Sequence, residues 1–288
     1  MTERMIAVRG AELCVETFGR PGDPAIVLLA GIGSSMDGWD PAFCARLAAG
    51  DASGGRLVVR YDQRDTGRST AWPAGRPVCS ATDLTEDAAA VVDAVAGGRA
   101  HVVGISAGGG IAQELAAWYP ERVQSLTLIS TSPVVGREDL PPPSPHLSAM
   151  FSDPPPPPDW ADAEAVVEHM VGDERAYAGP GFFDEDAARA TARRVVARSR
   201  DLEAAATNPW ILAEGDGPQV SMGDIVAPTL VLHGTADPLF PGRHAEAVVA
   251  AIPGARLMWL AGVGHQPPPP ATWGVVVPAI LEQSAASR

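Results

Sequence analysis

Apolar runs recur along the chain at intervals that predict its architecture. Residues 25–30, Ala-Ile-Val-Leu-Leu-Ala, form an unbroken apolar run of strand length. An unbroken run, unlike an alternating one, predicts a strand covered on both faces, as in a parallel sheet. The same signature returns at residues 56–61, 100–103, 125–129, 228–233 and 256–260. Between these runs lie helical patterns at residues 43–49, 83–96 and 107–119. The second has Thr82 as its candidate N-cap and acidic residues in its first turn, where the helix dipole favours them; Pro120 stops the third. Two stretches at the start, residues 5–9 and 12–18 around Gly10-Ala11, predict a β-hairpin. Strands alternating with helices through short turns predict an α/β fold with a mostly parallel central sheet and helices on both faces.

The rhythm breaks after Ile129. From residue 132 to 226 there are two proline-rich tracts, residues 141–145 and 154–158, followed by charged, alanine-rich helical stretches at 160–172 and 184–206. No strand of the earlier kind occurs there. The expected organisation is a core of residues 1–131 and 227–288 with a helical cap, or lid, of residues 132–226 over one edge of the sheet. The proline tracts are expected to act as stiff, extended spacers.

Composition narrows the function. With 35 acidic residues against 21 basic ones, the formal charge is −14, and a field of that sign repels polyanions and anionic lipid headgroups. The partner expected is therefore a small molecule, with no nucleic acid and no membrane; the oligomeric state has no signal. The first ten residues mix Glu3, Arg4 and Arg9 with apolar positions and lack the hydrophobic run of a secretion signal. Cys14, Cys44 and Cys79 are odd in number and far apart, which fits buried thiols in a reducing cytoplasm better than disulfides or zinc ligands.

The chemistry is concentrated where predicted strands end. Strand 100–103 runs into Gly104-Ile105-Ser106-Ala107-Gly108 and directly on into a helix, the strand–turn–helix setting of a nucleophile elbow. The turn is so tight that side chains at Gly104 and Gly108 would strike backbone, while Ser106 is pushed into open space beside a helix N-terminus. A serine needs a base to become a nucleophile near neutral pH. His101, His146, His169, His233 and His244 fall in strands, helices or loops without catalytic context, whereas His265 follows the last strand through Ala261-Gly262-Val263-Gly264, at the edge where Ser106 emerges. The acid that orients such a base is expected at Asp237, just past strand 228–233, because Ser130-Thr131-Ser132 supply no acid after the preceding strand. An oxyanion also needs donors: the N–H of Ala107 is one, and the loop Gly31-Ile32-Gly33-Ser34 offers the second, assigned to Ile32 with Gly33 as its competitor.

Together these residues resemble the α/β-hydrolase superfamily across nearly the whole chain apart from the cap. Residues 61–69, Tyr-Asp-Gln-Arg-Asp-Thr-Gly-Arg-Ser, resemble the family's D-x-R-G-x-G-x-S turn, with Asp65 where glycine is usual. In this form the turn is similar to that of the aclacinomycin methylesterase branch, which acts on methyl esters of aromatic polyketides. The resemblance implies a scaffold role for Asp62 and Arg64, and it extends to Trp39 after the glycine-rich loop. The family's usual histidine before that loop is Ala30 here, a departure that bears on loop geometry rather than chemistry.

The expected function is therefore hydrolysis of a carboxylic ester, apolar or aromatic and, as the resemblance implies, a methyl ester, through an acyl-enzyme on Ser106. No metal or other cofactor is implied. Candidate pocket residues are Gly31, Gly33, Ser34, Trp39, Trp160, Phe182, Phe183 and Trp210. Two other readings share the motifs: the same triad turned to perhydrolysis, carbon–carbon hydrolysis or a lyase or cyclase step, and a non-catalytic small-ligand receptor.

Overall fold

A computed structural model describes residues 2–285; the extreme ends of the expected core segments, residue 1 and residues 286–288, lie outside the described residues. The chain opens with β1 (Thr2–Val8) and β2 (Ala11–Phe18), paired antiparallel as the predicted hairpin. It continues through β3 (Ala25–Leu29), α1 (Pro41–Ala49), β4 (Leu57–Tyr61), α2 (Ala81–Val95), β5 (Ala100–Ile105), α3 (Ala107–Trp118) and β6 (Val123–Ile129). Four helices follow without an intervening strand: α4 (Pro145–Ser152), α5 (Ala163–Tyr177), α6 (Glu185–Arg198) and α7 (Leu202–Thr207). The α/β rhythm then resumes with β7 (Thr229–Gly234), α8 (Arg243–Ala251), β8 (Arg256–Leu260) and α9 (Trp273–Ala285).

The described strands form one sheet in the order β1-β2-β4-β3-β5-β6-β7-β8. Pairing is antiparallel through β4 on the β2 side and parallel from β4 to β8. The chain leaves β3 for β4 on one side and later returns to β5 on the other. The C-terminal ends of β3 and β5 thus flank a topological switch point, where an open α/β sheet has its natural crevice.

The unbroken apolar runs have the burial they predicted. Along β3, Val27 and Leu29 enter a core with Val91 of α2, Leu115 of α3 and Val248 of α8, whereas Ile26 and Leu28 enter another with Leu47 of α1 and Ile280 of α9. Period-two alternation sends adjacent side chains to opposite faces, so a strand covered twice must be apolar throughout. The run at β8 differs: it is the edge strand, and its Trp259 is exposed.

Local corrections have local causes. The N-cap of α2 is Ser80 rather than Thr82: its hydroxyl accepts from Asp83 N–H, and the Asp83 carboxylate accepts from Ser80 N–H, a closed capping box. The first proline tract ends as a helix start, with Ser144 capping α4 and Pro145 in its first turn, where its missing N–H costs nothing. The stretch 184–206 is two helices, broken after Ser199, where Arg200 N–H donates to the Gly67 carbonyl and Asp201 caps α7.

Asp65 stands at φ +63°, the left-handed region. That explains why glycine is usual there; aspartate tolerates this conformation when its side chain bonds locally, as here to Trp72 N–H at 2.7 Å. Asp62 and Arg64 are buried: Asp62 accepts from Met36 N–H at 2.8 Å and Arg68 N–H at 2.9 Å, and Arg64 pairs with Asp87 at 2.6 Å.

Candidate active site

β5 delivers Ser106 through a turn that its neighbours make possible. Ser106 has φ +53° and ψ −122°, a strained conformation for a residue with a side chain. Its N–H donates to Ile129 O at 3.0 Å and its carbonyl accepts from the Thr131 hydroxyl at 2.8 Å, so β6 holds the turn in place. A Cβ at Gly104 would lie 2.2 Å from Gly108 O, and one at Gly108 would lie 2.4 Å from Ala30 O. Both positions exclude any larger residue.

Ser106, His265 and Asp237 form a hydrogen-bonded chain. Ser106 Oγ lies 2.9 Å from His265 Nε2, and His265 Nδ1 lies 3.0 Å from Asp237 Oδ2. A carboxylate can only accept, so Nδ1 carries the proton and Nε2 is left to accept from the serine hydroxyl. Asp237 Oδ1 also accepts the N–H groups of Leu239 and Phe240, at 2.9 and 2.8 Å. Burial pulls the Asp237 carboxyl upward, but the His265 hydrogen bond and charge, with Phe240 N–H, outweigh it and hold the carboxyl below its ordinary range. The imidazole of His265 meets Phe240 edge-on, with ring centroids 5.3 Å apart, and its backbone N–H donates to Tyr177 O of α5 at 2.8 Å.

His233 lies behind this chain. Its Nε2–H donates to Phe240 O at 2.7 Å, bracing the turn that carries Asp237, and burial pushes its imidazole toward the neutral form. His101 and His244 are buried away from Ser106, each with Nδ1 2.9 Å from a serine hydroxyl, Ser125 and Ser132 respectively.

Ala107 is the first residue of α3, so its N–H has no helical acceptor, and the N–H of Ile32 meets none among the described residues. Both residues line a cavity with Ser106. The cavity wall therefore carries two uncommitted backbone donors, that of Ala107 at a helix N-terminus that favours negative charge.

Two cavities meet at Ser106. One, of about 740 Å³, is bounded by α3, the segment after β6 and Trp210. The other, of about 390 Å³, runs beneath α5, where Gly31, Gly33, Ser34, Trp160 and Trp210 line it as expected. Trp39, Phe182 and Phe183 do not. Trp39 stacks on Phe43 within the core on the α1 side, Phe182 packs over Gly262, and Phe183 lies under the Arg175 guanidinium.

Among the wall residues that the sequence reading did not name are three of α5, His169, Asp173 and Tyr177, which line the smaller cavity. Their signal was present, since positions 169, 173 and 177 recur every four residues and fall on one face of a helix. It was indistinct because nothing in α5 alone tells which face meets the core.

The chain belongs to the α/β-hydrolase fold family, whose model matches residues 24–268. It is 31% identical to rhodomycin D methylesterase DauP of Streptomyces sp. strain C5 and 30% identical to rhodomycin D methylesterase DnrP of Streptomyces peucetius, covering 93% of each chain in both pairs. The crystal structure of an esterase from Rhodococcus sp. ECU1013 superposes with a TM-score of 0.77 at 20% identity over 100% of both chains, a likeness of fold. Among the described residues no group of three or more His, Cys, Asp and Glu side chains is arranged to hold a metal ion, and no helix is long and apolar enough to cross a membrane.

Proposed function

We propose that this hydrolase cleaves a carboxylic ester through an acyl-enzyme on Ser106, and that its substrate is a methyl ester of a bulky apolar or aromatic acid. The observation that carries the reading is the continuous hydrogen-bond chain from Ser106 Oγ through His265 to Asp237, opening on the larger cavity, whose wall includes the uncommitted N–H groups of Ile32 and Ala107. The likeness to two rhodomycin D methylesterases supports the ester class.

In the proposed cycle Ser106 Oγ attacks the ester carbonyl while His265 Nε2 takes its proton. The carbonyl oxygen becomes an oxyanion held by the N–H groups of Ile32 and Ala107. Collapse expels the alkoxide, which takes the proton from His265 and leaves as methanol. A water then gives its proton to His265, adds to the acyl carbonyl, and the acid departs as Ser106 recovers its hydrogen. Asp237 keeps Nδ1 protonated throughout and stabilises the imidazolium formed in each half. Residues 132–226 act in this scheme as a cap that walls the cavity and touches the base through Tyr177.

The test is a set of methyl, aryl and thioester substrates offered to wild type and to Ser106→Ala, with hydrolysis followed in ¹⁸O-water. One solvent oxygen in the acid product, fluorophosphonate labelling at Ser106 and loss of both in the variant are expected. Turnover persisting in Ser106→Ala would refute the assignment of the nucleophile. Product carrying no solvent oxygen would point to one of the other reactions that share this triad.

A further inference from the structure

The smaller cavity is mostly apolar near Ser106, with Ile105, Leu202, Ala205 and Leu239 on its wall, yet an imidazole and a carboxylate face it from α5. His169 Nε2 and Asp173 Oδ2 stand 3.6 Å apart, beyond hydrogen-bonding distance. Among the described residues neither makes any other hydrogen bond or ion pair. Asp173 keeps 46% of its side-chain surface open and His169 27%, and the space they share is the cavity. Burial pushes the Asp173 carboxyl upward.

Such a pair has no protein partner on its cavity side, and a group that donates and accepts at once completes it. A carboxylate accepts, while a neutral imidazole can donate from one nitrogen. A hydroxyl can do both at once, donating to Asp173 and accepting from His169. An ammonium has only donors and leaves the imidazole donor unused.

We propose that His169 and Asp173 form the recognition point for a hydroxyl group on the acyl part of the substrate. The proposal rests on the ester-hydrolase reading above, in which the leaving alcohol is small and every recognised feature belongs to the acid.

The helix supplies a ruler. Tyr177 packs beside His265, with ring centroids 5.9 Å apart. With a rise of about 1.5 Å per residue, Asp173 lies about 6 Å and His169 about 12 Å further along the axis. The hydroxyl is therefore expected roughly 6–12 Å further along the helix axis than Tyr177, at a distance from the ester carbonyl that takes more than one fused aromatic ring to span. Trp160, edge-on to His169 with centroids 6.3 Å apart, closes that end of the cavity. His169 and Asp173 are specificity-determining residues in this proposal and take no part in bond breaking.

The experiment compares three methyl esters of one fused aromatic acid, bearing at that distance a hydroxyl, a hydrogen or an aminomethyl group. kcat and KM are measured for wild type, Asp173→Leu and His169→Phe, with active sites counted by fluorophosphonate titration. Wild type should prefer the hydroxyl over the hydrogen compound by roughly tenfold to a hundredfold in kcat/KM, chiefly through KM. The ratio should fall close to one in both variants. The milder Asp173→Asn and His169→Gln should lower it in the same direction and replace the first pair if either fails to fold.

No hydroxyl preference in wild type, or a preference that survives in the variants, would overturn the proposal. A stronger preference for the aminomethyl compound would overturn it in favour of a cation site. Undiminished hydrolysis of all three esters by Ser106→Ala would instead bring down the ester-hydrolase reading itself, so the two failures are distinguishable.

Discussion

The sheet and the helices between β6 and β7 are held by different forces, and the division bears on what each contributes. β3, β5, β6 and β7 bury apolar side chains on both faces, with Ile26, Leu28, Leu126 and Val231 wholly enclosed. By contrast α5 and α6 share only a small apolar cluster of Val167, Val171, Ala188 and Ala192. Their surfaces are joined by ion pairs such as Arg193–Glu164 at 3.1 Å. The tie of α6 to the sheet side is also polar: Arg198 pairs with Glu3, Asp37 and Asp62 at 3.0, 2.5 and 3.0 Å. Non-directional burial over large areas fixes positions to fractions of an ångström, as acyl-transfer geometry requires. A thinner, more polar attachment leaves the wall over Ser106 freer to move, which is the usual property of elements that admit a substrate.

The largest effect expected of this division is chemical. Ser106→Ala should reduce kcat by at least about 10⁴-fold on every ester, small or large, because it removes the proposed nucleophile from the rigid part. Thermal unfolding of the variant should match wild type, or exceed it slightly as strain at φ +53° is relieved. A loss confined to bulky substrates would assign the chemistry to the helical segment and break the comparison.

Stability should divide in the same way. Leu126 is fully enclosed on β6, so Leu126→Ala should cost about 2–5 kcal/mol in chemical denaturation. Val171→Ala on α5 removes less volume from a smaller cluster and should cost about 1–2 kcal/mol. Hydrogen exchange sharpens the contrast: amides of α5 and α6 should exchange through partial opening, those of β3, β5 and β6 only through global unfolding. Equal protection in both regions would show a single cooperative unit.

The same contrast governs how much was legible in the sequence. The elbow could be read because its geometry tolerates only glycine at positions 104 and 108, and the hydrogen-bonded chain of Ser106, His265 and Asp237 because its members follow strands ending at one edge. The doubly covered strands declared themselves by composition. Other elements were hidden where one residue carries two meanings. Proline reads as a spacer, yet Pro145 begins α4, and Pro278 stands inside α9, a helix that a scan for unbroken helical pattern passes over. Wall residues were the least legible. Phe182 and Phe183 turn away from the cavity while His169, which the sequence shows without catalytic context, faces it, because packing between α5, α6 and the sheet decides which helix face is covered.

Acid should strain the sheet through a buried base. His101 on β5 is enclosed, and desolvation, with the nearby charges of Arg56 and Arg99, lowers it from the ordinary 6.5 to about 4. The unfolded chain therefore takes up a proton that the folded chain refuses between those values. Stability should fall as pH drops from about 6.5 to about 4, by up to roughly 3 kcal/mol from this group, and level off below. Asp237, whose folded carboxyl is held low, keeps its contribution through that window and loses it only at more acid pH. Replacing His101 with glutamine, which keeps a partner for Ser125, should flatten the stability profile between pH 4 and 6.5, measured by urea unfolding. An unchanged slope would move the acid-sensitive element out of the sheet.

The smallest effect should come from the polar surface of the helical segment. Glu164 of α5 and Arg193 of α6 pair at 3.1 Å, with 65% and 57% of their side chains exposed. Water and salt screen such a pair, and two long side chains must be ordered to hold it. Glu164→Gln should therefore change global stability by less than about 1 kcal/mol, and by less still at high ionic strength. Local exchange of α5 and α6 amides should rise more than that figure implies, because the cluster beneath them is small. A cost as large as that of Leu126→Ala would mean that ion pairs, not apolar burial, anchor these helices, and a rigid wall above Ser106 would follow.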